Sequence, residues 1–155
     1  MNEGMTMLKK SKLFAAAVAV ALLGLTGCAV TKQAQDPSGP IKTVYHINDS
    51  AVAMMAMNNV RNQLAASPAD QIVVVAHGNG IDFLLEGAAD ANGNPYNIKV
   101  EELQAKKVDF RVCNNTLKSR KIDPRTVLEG AHIVPSGVAE VAGLQAREGY
   151  TYLKP

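Results

Sequence analysis

Apolar and polar positions along the chain follow two regimes. Phe14 to Leu25 is an uncharged Ala/Val/Leu run with no alternation, whereas beyond Ile41 short β-branched runs alternate with stretches of helical period. Residues 42–47 predict a strand, followed by Asn48-Asp49-Ser50, which suit a turn and a helix N-cap. Residues 51–66 predict a helix, because Ala53, Met57, Val60 and Leu64 recur on one face. Ser67-Pro68 closes it. Residues 71–76 (QIVVVA) form an unbroken β-branched run, the pattern of a strand covered on both sides. His77-Gly78-Asn79-Gly80 predicts a tight loop, residues 81–86 a short helix, and residues 98–106 an amphipathic helix turning Val100 and Leu103 inward. A third strand is expected over 108–113, with a helical turn starting around Thr116. Residues 132–134 predict a fourth strand. Pro135-Ser136-Gly137 then leads into a helix carrying Val138, Val141 and Leu144, and residues 150–153 predict a fifth strand.

Strands that alternate with helices require right-handed crossovers, hence a mostly parallel five-stranded α/β sheet with helices on both faces. The early apolar run belongs to something else. Lys9, Lys10 and Lys12 precede it. It is shorter than the roughly 20 residues of a spanning helix and has the length of a signal h-region. It ends in Leu25-Thr26-Gly27-Cys28, which resembles the lipobox of bacterial lipoproteins. That resemblance implies removal of residues 1–27 and acylation of Cys28. Residues 28–40 become a lipidated N-terminus and polar tether, and residues 41–155 one domain. Ala29 after the cysteine implies, by analogy with Gram-negative sorting, the periplasmic face of the outer membrane as the location, with the membrane reached through the lipid anchor.

Charge changes the picture little. The chain has 16 Lys and Arg against 14 Asp and Glu, and several lysines sit in the signal. The domain is near neutral and has no basic footprint for nucleic acid. Cysteine usage changes it more. With Cys28 committed to lipid, Cys113 has no partner for an internal disulfide, which is unusual in an oxidising compartment.

In a parallel sheet, ligands bind beyond the carboxyl ends of the strands. The segments there are Asn48 to Ser50, His77 to Gly80, Cys113 to Thr116 and Pro135 to Gly137. Cys113 is the candidate nucleophile: amides at a helix start favour a thiolate, and Arg111, two residues back, shares its face. A small buried hydrophobe is the other use of such a cysteine. His77 suits a base or orienting group, or a loop hydrogen bond. His46, inside a strand, and His132, opening one, read as structural. Asn79, Asn114, Asn115 and Ser136 are the assisting candidates. Cys113 and His77 alone fall short of a metal pattern, and Met54, Met55 and Met57 read as core or interface filler. The His77 to Gly80 loop lacks nucleotide-binding spacing, and no organic cofactor is required.

Several segments together resemble the DsrE/DsrF-like (YchN-like) family. They are His77-Gly-Asn-Gly-Ile81 leading to Phe83-Leu-Leu-Glu-Gly87, Phe110-Arg-Val-Cys-Asn-Asn-Thr-Leu117, Val134-Pro-Ser-Gly-Val-Ala-Glu140 with Leu144-Gln145, and Gly149-Tyr150 through Pro155. The resemblance implies a flavodoxin-like sheet, assembly into homotrimers or homohexamers, and a role in sulfur relay. It also implies that Cys113 is the persulfide-carrying cysteine, working with donor and acceptor proteins. An envelope sulfurtransferase or sulfur carrier is the leading expectation. A non-enzymatic oligomeric binding module, with Cys113 structural, is the alternative.

Overall fold

The computed structural model describes residues 39–155. The proposed signal segment, Cys28 and nearly all of the tether lie outside the described residues. Five strands form one sheet: β1 (Lys42–Ile47), β2 (Gln71–Ala76), β3 (Asp109–Cys113), β4 (His132–Val134) and β5 (Thr151–Leu153). Four helices connect them: α1 (Ala53–Ala66), α2 (Tyr96–Ala105), α3 (Asn114–Arg120) and α4 (Gly137–Glu148). The strand order is β4-β3-β2-β1-β5, and every pairing is parallel.

This order decides which face each helix covers. The chain steps from β1 to β4 in one direction, so right-handed connections put α1, α2 and α3 on one side. The last connection runs back across the sheet to place β5 beside β1, which puts α4 on the other side. Burial follows. Tyr45, Ile47, Val74, Phe110 and Val112 pack with Met57, Val60, Val100, Leu103 and Leu117 in the larger core. Phe83 meets both Tyr96 and Phe110 edge-on there. The opposite core is small: Val44, Val73 and Val75 against Val141 and Leu144 of α4, with Tyr150 at its margin.

Local chemistry explains the element ends. Asp49 caps the 3-10 turn Ser50–Val52 that leads into α1. Ser136 caps α4, and Gly149 ends it in the left-handed conformation at φ 76°. Two expected helices shift. The helix expected over 81–86 is a 3-10 helix, Gly78–Leu84, that begins inside the glycine loop. The helix expected over 98–106 begins two residues earlier, because Tyr96 is buried against Phe83. Val138 of α4 is 60% exposed. The inward stripe of α4 runs through Gly137, Val141 and Leu144, and successive helix residues are turned by about 100°.

Candidate functional site

Adjacent strands whose following connections leave on opposite faces leave a crevice at their carboxyl ends. Here that pair is β3, which leads to α3, and β4, which leads to α4. Cys113 is the last residue of β3, and Ser136-Gly137 opens α4 after β4. The cysteine therefore sits at the crevice. It is 5% exposed, so recessed, and it belongs to neither apolar core cluster.

Polar groups surround it. Burial by itself pushes the thiol up. The Gly137 amide, the Thr116 hydroxyl and amide and the Asn115 amide together outweigh that, holding the thiol below its ordinary value. The Asn115 and Thr116 amides belong to the first turn of α3, for which Cys113 is the N-cap residue. Such first-turn amides lack helical partners and favour negative charge. Ser136 serves indirectly: its hydroxyl accepts the Ala139 amide at 3.5 Å and its carbonyl accepts the Glu140 amide, while Gly137 is left facing the thiol. Space is tight at Gly137. A β-carbon there would stand 3.1 Å from the β-carbons of both Cys113 and His77. Thr116 closes the arrangement, since its hydroxyl oxygen accepts the Gly78 amide at 3.0 Å.

The expected residues come together in part. His77 flanks Gly137 as Cys113 does. Asn115 contributes its amide while the residue is exposed, and Asn114 is half-buried at the start of α3. Asn79 is exposed on the 3-10 helix and is not among the groups facing the thiol. Arg111 shares the face of Cys113 as expected, but its guanidinium is held by Asp109 at 2.7 Å and by Glu140 of α4. It ties α4 to β3 and is likewise not one of the groups facing the thiol. The glycine loop is structural: Gly78 adopts φ +58°, and a β-carbon on Gly80 would lie 2.2 Å from the Ile47 carbonyl oxygen.

Sequence reasoning placed Thr116 and Gly137 in the segments at the strand ends without giving either a role, and it did not place His46 beside His77. The His46 ring stacks on that of His77, with centroids 4.6 Å apart, and its Nδ1 pairs with the Tyr152 hydroxyl at 2.8 Å. The signal was strand parity. His46 shares its face with Val44, so it points to the α4 side at the carboxyl end of β1. His132 is exposed and pairs with Asp109 at 2.9 Å, in the structural role expected. Of the methionines, Met57 is core, Met54 packs against it, and Met55 is exposed. Among the described residues no cluster of three or more His, Cys, Asp or Glu is placed to hold a metal, and no helix is long and apolar enough to cross a membrane.

Known proteins set this geometry in context. The family model described as DsrE/DsrF-like family matches residues 33–155. The solved structure of MTH1491, a protein of unknown function from Methanobacterium thermoautotrophicum, is 33% identical with a TM-score of 0.65. The match covers 74% of this chain and 99% of that one. The ychN protein of E. coli matches with a TM-score of 0.62 over 74% of this chain and 100% of its own, at 13% identity, a likeness of fold alone. No curated protein matches the chain.

Proposed function

The chain belongs to the DsrE/DsrF-like family, and from that premise we propose that it is a sulfur carrier, in which Cys113 accepts sulfane sulfur as a persulfide and passes it on. The observation that carries this reading is the set of donors around a recessed thiol. Three backbone amides and one hydroxyl hold Cys113 below its ordinary thiol range despite burial. The thiolate is the species that attacks sulfane sulfur, and a recessed site slows over-oxidation of the persulfide.

The proposal extends to the setting. The Lys-rich start, the apolar run and Leu25-Thr26-Gly27-Cys28 support export and lipidation on Cys28, with the domain held at the envelope. Assembly into homotrimers or homohexamers, with separate donor and acceptor proteins, follows from the family resemblance.

The test is intact mass. The full-length protein and its Cys113→Ser variant are incubated with polysulfide. The expected outcome is a gain of one or more sulfur atoms in the wild type, removed by reductant and absent from the variant. A Cys113 that stays unmodified and also resists iodoacetamide in the folded protein overturns the reading. The 5% exposure of Cys113 is the observation favouring the second reading, a binding module with a structural cysteine, which that outcome would support.

A further inference from the structure

His46 and His77 share a feature that sulfur carriage by Cys113 alone does not use. The Nε2 atom of each is buried and has no hydrogen-bond partner among the described residues. Burying a polar atom unpaired is costly, and the cost persists chiefly where a ligand or reacting group completes the bond. The two rings stack at 4.6 Å with 27° between their planes. His46 is fixed in turn through Nδ1 by the Tyr152 hydroxyl.

His77 stands beside the nucleophile. Its β-carbon and that of Cys113 each lie 3.1 Å from the point a Gly137 β-carbon would occupy, so they are no further apart than twice that distance. Yet His77 Nε2 makes no hydrogen bond to the thiol, which is faced by Gly137, Asn115 and Thr116 instead. The partner that Nε2 lacks is then a third group. In sulfur transfer, the third group is the sulfur that leaves.

Resting on the sulfur-carrier reading, we infer that His77 is the proton donor to the leaving group at the Cys113 site, that His46 and Tyr152 are its positioning residues, and that the donor is a persulfide, R–S–SH, whose leaving sulfur meets His77 Nε2. Cys113 Sγ attacks the terminal sulfur of the donor as the thiolate that its amide and hydroxyl neighbours favour, its proton having gone to solvent. A new S–S bond forms at Cys113 and the donor's S–S bond breaks. Its electron pair departs on R–S⁻, which takes a proton from His77 Nε2–H to give R–SH, and His77 regains a proton from solvent. Cys113 becomes Cys113–S–SH, with no net oxidation or reduction. Catalytic hydrogen bonds that are long in the free protein tighten in the complex.

The groups around the pair fit these roles. His77 faces the His46 ring from β1, Cys113 from β3 and the first turn of α4. His46 faces His77, Tyr152 from β5, and Lys154 beyond it. Burial first, then His77 and Lys154, disfavour the His46 cation. His46 is thus a neutral stacking plate, not a counter-ion.

The test follows sulfur loading of the full-length protein by glutathione persulfide between about pH 5 and pH 9, with iodoacetamide alkylation in parallel, a range that spans the ordinary histidine and thiol values. Alkylation needs the thiolate but no proton for its leaving iodide. His77→Gln is expected to slow loading by roughly 10²-fold, the low end for acid–base catalysis, and to change alkylation far less. His46→Ala and Tyr152→Phe are expected to slow loading by less. His46→Phe, which keeps a stacking ring, recovers most of the His46→Ala loss. If His46→Ala fails to fold, seen as lost helical circular dichroism, Tyr152→Phe at the surface carries the positioning test. Loading by His77→Gln at the wild-type rate, or equal slowing of loading and alkylation, overturns the inference and leaves the carrier standing. Wild-type Cys113 that takes up no sulfur removes both, and the wild-type arm alone tells the two failures apart.

Discussion

At Cys113 the effect of burial on a thiol is opposed by neighbouring donors. Burial raises a thiol and suppresses the thiolate, so an ordinary core cysteine is inert. At Cys113 the opposing donors come from two places in the sequence: Asn115 and Thr116 just after it, and Gly137 at the start of α4. Thr116 is the single side chain among them, and its hydroxyl also accepts the Gly78 amide. Thr116→Val keeps the shape but removes the hydroxyl, leaving Gly78 N–H without an acceptor. The expected cost is about 1–3 kcal/mol in urea denaturation, the range for a buried donor left unpaired. The thiol also rises, so iodoacetamide alkylation at neutral pH slows. An unchanged alkylation rate would mean that Thr116 does not support the thiolate. Cys113 itself was legible in the sequence, because a lone cysteine at a strand end is visible there. Thr116, Gly137 and His46 were not. Their importance depends on which segments meet in space, and a glycine at a helix start reads as a turn in any sequence.

Among the elements, the strands at residues 42–47, 71–76 and 132–134 coincide with the hydrophobic pattern, because β-branched runs bounded by turn residues have few alternatives. Helix starts were harder to place. α2 begins where Tyr96 finds an aromatic partner, a tertiary effect. Asp70 provides an element-scale anchor. Its carboxylate accepts hydrogen bonds from Gln63 and Ser67 near the end of α1 and from the Ile41 amide at the entry to β1. Those bonds, Gln63 foremost, then Ile41 and Ser67, hold the carboxyl below its ordinary range against the effect of burial. The folded state therefore binds the Asp70 proton less readily than the unfolded chain. This stabilisation is complete above the unfolded value of about 3.9 and is lost as pH falls through the lower folded value. Asp70→Asn is expected to destabilise by roughly 1–3 kcal/mol at neutral pH. In urea denaturation the gap from the wild type should narrow below about pH 4, where the unfolded carboxyl is already protonated. A gap constant with pH would assign the effect to shape alone.

At the scale of the whole domain, one topological fact positions the site. The return connection from β4 to β5 puts α4 alone on its face of the sheet and opens the crevice between β3 and β4. The alternation of strands and helices was legible, and so was a parallel sheet with its loops gathered at one edge. Strand order was not, because the right-handed rule fixes the hand of each crossover but not which edge the next strand joins. That is why α4, bearing Gly137, was not foreseen lying over Cys113 and His77. The same topology brings Tyr152 of β5 to His46 of β1.

The most direct test of the central claim is complete turnover in the full-length protein. Cys113 is loaded with polysulfide, excess reagent is removed, a low-molecular-weight thiol is added, and intact mass is followed. The expected result is one or more sulfur atoms gained on Cys113 and then returned to the thiol as its persulfide, with the protein back at its starting mass. A protein that never gains sulfur, or that keeps it in the presence of the acceptor, would contradict a carrier function.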